Sequence, residues 1–251
     1  MSRVEAPTAW PYTTGTGVKL LIIDTGVGPH EDLNVPFAFN CIYGQQTNDA
    51  IGHGTAVAGI AAALNNSVDV VGVSAGVSLW SANAWDNTVN KITASQLACS
   101  IDVGRVNNVS VVNMSIRLDT ASTTVSNEIL GGHNLDNILF VAAAGNYLSY
   151  GSKIELSAPG DSTGNDGVLT TALSTGSICG ALPGLNVGKC NGTSSASPHV
   201  AAVAALVRAY NPTMTNAAVR TRMDCSARYL GDPTYYGNGM VQAKKAVLGI
   251  C

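Results

Sequence analysis

Residues 18–23, 109–114 and 138–143 are short runs of almost unbroken apolar character, the length of strands rather than helices. Their continuity, in place of alternation with polar residues, predicts strands buried on both faces, as in a parallel sheet covered by helices. Residues 56–64 and 198–210 are rich in Ala and Val and predict helices packed deep against that sheet, while residues 92–106 predict an amphipathic third. Strands alternating with helices in this way predict an α/β fold of three layers, a parallel β-sheet with helices on both faces. No repeat, low-complexity tract or linker interrupts the pattern, so residues 1–251 are expected to form a single catalytic domain.

Composition narrows the class. Hydrophobic residues make up 46% of the chain and charged ones 12%, so the surface relies on Ser, Thr, Asn and Gly. A net charge of -3 and the lack of any Lys or Arg run argue against nucleic acid as a partner. The apolar runs fall far short of the roughly 20 residues that cross a bilayer, so no membrane association is expected. The segment Met1-Ser2-Arg3-Val4-Glu5 has no apolar core of a secretion signal, and any such signal is expected to have been removed. Six cysteines, Cys41, Cys99, Cys179, Cys190, Cys225 and Cys251, lack the paired spacing of a zinc site and are even in number, which points to disulfides in a secreted protein. Of the fifteen possible pairings, Cys179 with Cys190 and Cys225 with Cys251 each close a local loop, leaving Cys41 with Cys99. Six buried thiols in a cytosolic protein are the alternative.

Three segments carry chemistry. Asp24 follows the first apolar run in Ile22-Ile23-Asp24-Thr25-Gly26, His53 stands in Gly52-His53-Gly54-Thr55, and Ser194 in Gly192-Thr193-Ser194-Ser195-Ala196-Ser197-Pro198. A serine hydroxyl is a weak nucleophile that needs a base in hydrogen-bond reach and a third group to orient that base. Ser194 is expected just before a helix opened by Ala196-Ser197-Pro198, whose N-terminal N–H groups favour an oxyanion. Asn146 closes another apolar run, and sites in open parallel sheets form beyond the carboxyl ends of strands, so it could add a side-chain N–H to the oxyanion hole. His30, His133 and His199 lack comparable framing, and a structural role is expected for His199. Each motif is weak alone: Asp24-Thr25-Gly26 also fits an aspartic protease, and a lone Ser before a helix is usually a cap. The order Asp, His, Ser with an intervening Asn at a strand end is far more specific.

On these segments the chain resembles the subtilisin-like serine proteases, the subtilases. The likeness extends to Val111-Val112-Asn113-Met114-Ser115, similar to the substrate-binding strand, to residues 141–146, and to Tyr236-Gly237-Asn238-Gly239-Met240-Val241, similar to the closing turn. It implies a seven-stranded parallel sheet and a secreted endopeptidase working through an acyl-enzyme. Asp24 would orient the base, His53 would be the general acid/base, Ser194 the nucleophile, and Asn146 part of the oxyanion hole. Ser115, Ile116 and Arg117 would pair with the substrate backbone. Ala143, Ala144 and Gly145 would floor the pocket before the cut, and their small size implies large apolar side chains there.

The resemblance also implies a structural calcium ion held by the Asp32 carboxylate, the Asn66 amide oxygen and the carbonyls of Leu64, Val68 and Val70; the alternative is a polar loop without metal. No organic cofactor is expected. Partners would be polypeptide substrates and a propeptide or protein inhibitor, with the protein a monomer. Two departures stand out: Arg117 replaces a glycine of the family pattern, and the stretch after Asn146 is too short for one central strand. Residues 154–157 are therefore expected beside the 138–143 strand. An inactive relative that binds peptides without cutting them is the main alternative function.

Overall fold

Leu20, Leu21, Ile22 and Ile23 are all fully buried because the strand they build has neighbours on both sides and helices on both faces. The computed structural model describes residues 1–146, 150–160, 167–174 and 179–251. Among them the strands are Lys19–Asp24 (β1), Phe37–Asn40 (β2), Ser78–Asn83 (β3), Trp85–Asp86 (β4), Lys91–Ile92 (β5), Val111–Met114 (β6), Leu139–Ala142 (β7), Val168–Thr171 (β8), Gly180–Ala181 (β9) and Val187–Cys190 (β10). The main sheet is parallel with order β2-β3-β1-β6-β7. Register is in step across its centre, with Leu20 beside Leu79 and Val111, and Asp24 beside Asn83.

Side chains of β1 alternate between two cores. Leu20 and Ile22 pack with helices α2 (His53–Ala62) and α5 (Thr193–Tyr210), whereas Leu21 and Ile23 pack with α3 (Ala94–Val106) and α4 (Thr123–Asn134). Each such fully buried Leu or Ile stabilises the fold by about 1.5–3 kcal/mol. The short helix α1 (Ala6–Ala9) also joins the first core, with α6 (Asn216–Ser226) and α8 (Ala243–Leu248) behind α5; α7 is Pro233–Tyr236. This is the α/β, three-layer architecture that the apolar pattern predicts. An antiparallel sheet of order β8-β10-β9 attaches to α2, because Thr170 and Thr171 donate hydroxyl hydrogen bonds to the carbonyls of Ala56 (2.6 Å) and Thr55 (2.7 Å). No helix among the described residues is long and apolar enough to cross a membrane.

Several boundaries differ from those the sequence predicts. The helix expected over 198–210 begins at Thr193, with Gly192 (φ 98°) turning the chain into it, so Ser194 lies within the first turn rather than ahead of the helix. Pro198 sits inside that helix, where it removes one hydrogen bond without ending it. The helix expected over 92–106 begins at Ala94, and Ile92 instead pairs with Trp85 in a short hairpin. The main sheet has five strands among the described residues, not seven.

Residues 154–157 do not join β7, which pairs only with β6 among the described residues. They run beside the closing turn instead: Ser157 N donates to Gly239 O (2.8 Å), Val241 N to Ser157 O (3.0 Å) and Asn238 N to Glu155 O (2.8 Å). Those bonds satisfy main-chain groups that pairing with β7 would otherwise have used. Part of the shortened stretch, 147–149 and 161–166, lies outside the described residues. Disulfides join Cys41 to Cys99, Cys179 to Cys190 and Cys225 to Cys251.

Candidate active site

The strand order reverses between β1 and β6, since the chain lays β3 on one side of β1 and β6 on the other. The carboxyl ends at such a point bound a crevice. Asp24 ends β1 there and Ser115 follows β6.

Asp24 is fully buried, and its Oδ1 accepts from His53 Nδ1 at 2.7 Å and from Thr25 N at 2.8 Å. His53 opens α2 and keeps its side chain partly exposed (21%), so the ring is held from one side and open on the other. The charge of Asp24 raises the His53 pKa above its ordinary 6.5; burial opposes this, and the hydrogen bond and the Asp49 carboxylate reinforce it. Gly54 permits the approach: a Cβ there would stand 2.0 Å from Gly26 O and 3.1 Å from Asp24 Cβ.

Asp49 belongs to none of the three motifs. Its buried carboxylate accepts from Thr25 Oγ1 (2.8 Å), Ile51 N (2.9 Å) and Gly52 N (2.8 Å) on Oδ1, and from Thr55 N (2.8 Å) and Thr55 Oγ1 (2.7 Å) on Oδ2. It thus ties the residue after Asp24 to the start of the helix bearing His53, and Thr25 Oγ1 in turn accepts from Gly54 N at 2.9 Å. No local sequence signal marks Asp49, because its partners Thr25, Gly52 and Thr55 converge from separate segments.

Ser194 is the second residue of α5, and its Oγ donates to Ser115 O at 3.2 Å; no hydrogen bond joins it to His53 among the described residues. Asn146 Oδ1 accepts from Thr193 N (2.9 Å) and Thr193 Oγ1 (3.0 Å), so its carbonyl side is anchored to the helix start while its NH₂ has no partner among the described residues. Gly192 makes room for it, since a Cβ there would lie 2.7 Å from Asn146 Oδ1. A cleft of about 350 Å³ is lined by residues 115–117, by 143–146 and by Thr193 and Ser194. It therefore gathers Ser115, Ile116, Arg117, Ala143, Ala144, Gly145 and Asn146 around the serine, together with Thr193. Arg117 is exposed and faces Asp119 at 3.6 Å. A larger hollow of about 660 Å³, containing Glu155, Arg220 and Asp224, shares no residue with this cleft. Among the described residues it offers carboxylates but no nucleophile hydrogen-bonded to a base, so the smaller cleft is the better reactive site.

At the calcium candidate, Asp32 is fully buried, its Oδ2 accepts from Val70 N at 3.1 Å, and its Oδ1 has no partner among the described residues. Burial raises its pKa and the Asp69 carboxylate adds to this, while the Val70 N–H and His30 oppose it. Asn66 Oδ1 accepts from Val68 N at 2.7 Å, which curls the 64–70 loop beside Asp32. Among the described residues no group of three or more His, Cys, Asp or Glu surrounds the loop, so any ion would depend on carbonyl oxygens.

His199, a residue of α5, is fully buried, with Nδ1 donating to Ser195 O (2.8 Å) and Nε2 unpartnered among the described residues. Burial pushes its pKa from the ordinary 6.5 down to about 4. Because the folded pKa lies below the unfolded one, its stabilising contribution is complete above pH 6.5 and is lost as pH falls toward about 4, at a cost of about 3 kcal/mol. Urea midpoints of a Ser194→Ala protein across this window should fall more steeply than those of the same protein carrying His199→Gln; equal slopes would refute the assignment.

A family model described as the subtilase family matches residues 15–152 and 147–239. Subtilisin E of Bacillus subtilis is 36% identical over 269 residues, covering 98% of this chain and 70% of the relative. Subtilisin of Bacillus pumilus is 36% identical with 98% and 97% covered. A solved protease structure from Pseudoalteromonas arctica superposes with a TM-score of 0.81 at 27% identity, covering 98% of this chain and 93% of that one.

Proposed function

The chain belongs to the subtilase family of serine proteases, and from that premise we propose that Asp24, His53 and Ser194 form its catalytic triad. The observation that carries this reading is the 2.7 Å hydrogen bond from His53 Nδ1 to the buried Asp24 carboxylate. It leaves Nε2 unprotonated in the neutral ring, the form a general base requires. In attack, Ser194 Oγ turns from the Ser115 carbonyl to the substrate carbonyl carbon as Nε2 takes its proton. The Asn146 amide and the Ser194 N–H at the start of α5 stabilise the oxyanion. The proton then passes to the leaving amine, and water hydrolyses the acyl-enzyme.

The substrates are polypeptides that add a strand along residues 115–117. Ala143, Ala144 and Gly145 at the cleft favour large apolar side chains before the cut. The protein acts as a secreted monomer of one catalytic domain, its three disulfides suiting an oxidising compartment. An organophosphonate probe should label the folded protein at Ser194, with cleavage of an unfolded polypeptide blocked in proportion. Absence of labelling would favour the peptide-binding alternative.

Calcium fits the 64–70 loop on the strength of the orphaned Asp32 oxygen. Asp32, Asn66 and the carbonyls of Leu64, Val68 and Val70 would hold it, and the ion would supply the counter-charge that the buried carboxylate lacks. Chelation should then lower Tm by about 5–10 °C at saturating reference calcium. A melting curve indifferent to chelator would count against the site.

A further inference from the structure

Ser194 and Pro198 are four residues apart in one helix, the spacing at which a backbone N–H closes onto a carbonyl. Proline has no N–H, and its ring crowds the carbonyl four residues back. The carbonyl of Ser194 is therefore deprived of its helical donor by the sequence itself. In its place, Ser115 Oγ donates to Ser194 O at 2.9 Å.

The direction of that bond is fixed from behind. Asn113, fully buried in β6, donates Nδ2–H to Ser115 Oγ at 3.0 Å, and its Oδ1 accepts from Ser197 Oγ at 2.6 Å. A hydroxyl has one proton. With its oxygen already accepting from Asn113, Ser115 directs that proton to Ser194. The circuit leaves α5 at Ser197 and returns to it at Ser194, and each donor points the same way, an arrangement in which neighbouring bonds reinforce one another. An Asn at the centre of an apolar strand is otherwise a costly choice, because its buried amide needs partners on both ends.

Resting on the triad reading above, we propose that the Ser115 hydroxyl and Asn113 are positioning residues that take over the helical bond forfeited at Pro198 and so fix the backbone of the nucleophile. Ser115 holds Ser194 twice: its hydroxyl grips the carbonyl of Ser194, and its carbonyl receives the resting Ser194 Oγ at 3.2 Å. The first grip persists when the second is released for attack. Neither group exchanges a proton with the substrate, so the effect is on the placement of Oγ and not on the base.

The test is a cycle between Ser115→Ala and Pro198→Ala, read as kcat, KM and the rate of phosphonate labelling well below Tm. Ser115→Ala should lower kcat and the labelling rate together by about 10- to 100-fold, with KM within about twofold and the acid limb of the pH profile unmoved. Pro198→Ala returns an N–H to the Ser194 carbonyl, and on that background Ser115→Ala should cost no more than about threefold. Equal losses on both backgrounds would overturn the proposal, as would a Ser115→Ala enzyme with parental kcat and only a lowered Tm. Should Pro198→Ala not fold, Ser115→Thr decides: recovery of kcat supports the hydroxyl's role, and no recovery overturns it. Failure of the triad reading is distinguishable, because then the parent itself shows no labelling at Ser194.

Discussion

Ser194→Ala should leave a folded protein that hydrolyses peptides about 10⁶-fold more slowly, a magnitude carried over from subtilisin itself. The fold should survive because Oγ makes one hydrogen bond among the described residues, to Ser115 O at 3.2 Å, worth about 1 kcal/mol. The loss should fall on kcat, since the backbone of residues 115–117 and the 350 Å³ cleft are untouched. Active-site titration and turnover of a fluorogenic peptide measure it. Residual hydrolysis within about tenfold of the parent would transfer the chemistry elsewhere, and Asp24-Thr25-Gly26, read as half of an aspartic protease, would return to consideration.

Asp24→Asn should lower kcat by about 10⁴-fold, the size of effect seen where the same change is made in a chymotrypsin-type triad. The amide would present an N–H to His53 Nδ1, so the ring proton would move to Nε2 and the base could not accept from Ser194. The pH profile carries a second signature. With Asp24 present the His53 pKa lies above 6.5, and on the triad reading activity should be lost as pH falls through it because the base becomes protonated. Without that charge, burial is left to lower the pKa, so the acid limb should move to lower pH.

Stability runs in the opposite sense. A histidine whose folded pKa is raised stabilises the fold fully below its unfolded value of 6.5, and this contribution disappears as pH rises through the folded pKa. Asp24→Asn should therefore cost more stability at about pH 5 than at about pH 9, on either side of that window, as urea midpoints in a Ser194→Ala background would report. An acid limb that does not move would contradict the pairing.

What the sequence disclosed followed from local pattern. Leu20 to Ile23 announced a doubly covered strand because a strand with one face in water alternates apolar with polar residues, and this one does not. The order Asp24, His53, Ser194, with Asn146 at a strand end between the last two, pointed to nucleophilic chemistry. The start of α5 is not legible in the sequence, because proline so often opens a helix that Pro198 conceals the first turn ahead of it. Asp49 carries no periodic signal; its meaning depends on Thr25, Gly52 and Thr55 converging from two segments. The course of residues 154–157 was set by main-chain bonds to Gly239 and Val241, and a partner so distant along the chain leaves no mark in local composition. Asn113 lay inside a run read as apolar, and its partners Ser115 and Ser197 become evident only where β6 meets α5.

The order of the main sheet has a kinetic meaning. Strand β1 finds no partner in its neighbour β2; it waits for β3 and β6, roughly 60 and 90 residues further along, and closing such long loops slows folding. A protease that folds slowly shares its solution with unfolded copies of itself, and those copies are substrates. Each excursion out of the native basin is then liable to become permanent, so the lifetime of the active protein is governed by its unfolding rate more than by its equilibrium stability. Heat inactivation of the parent should accordingly depend on scan rate and protein concentration, while the Ser194→Ala chain, free of self-cleavage, is the form in which reversible unfolding can be sought.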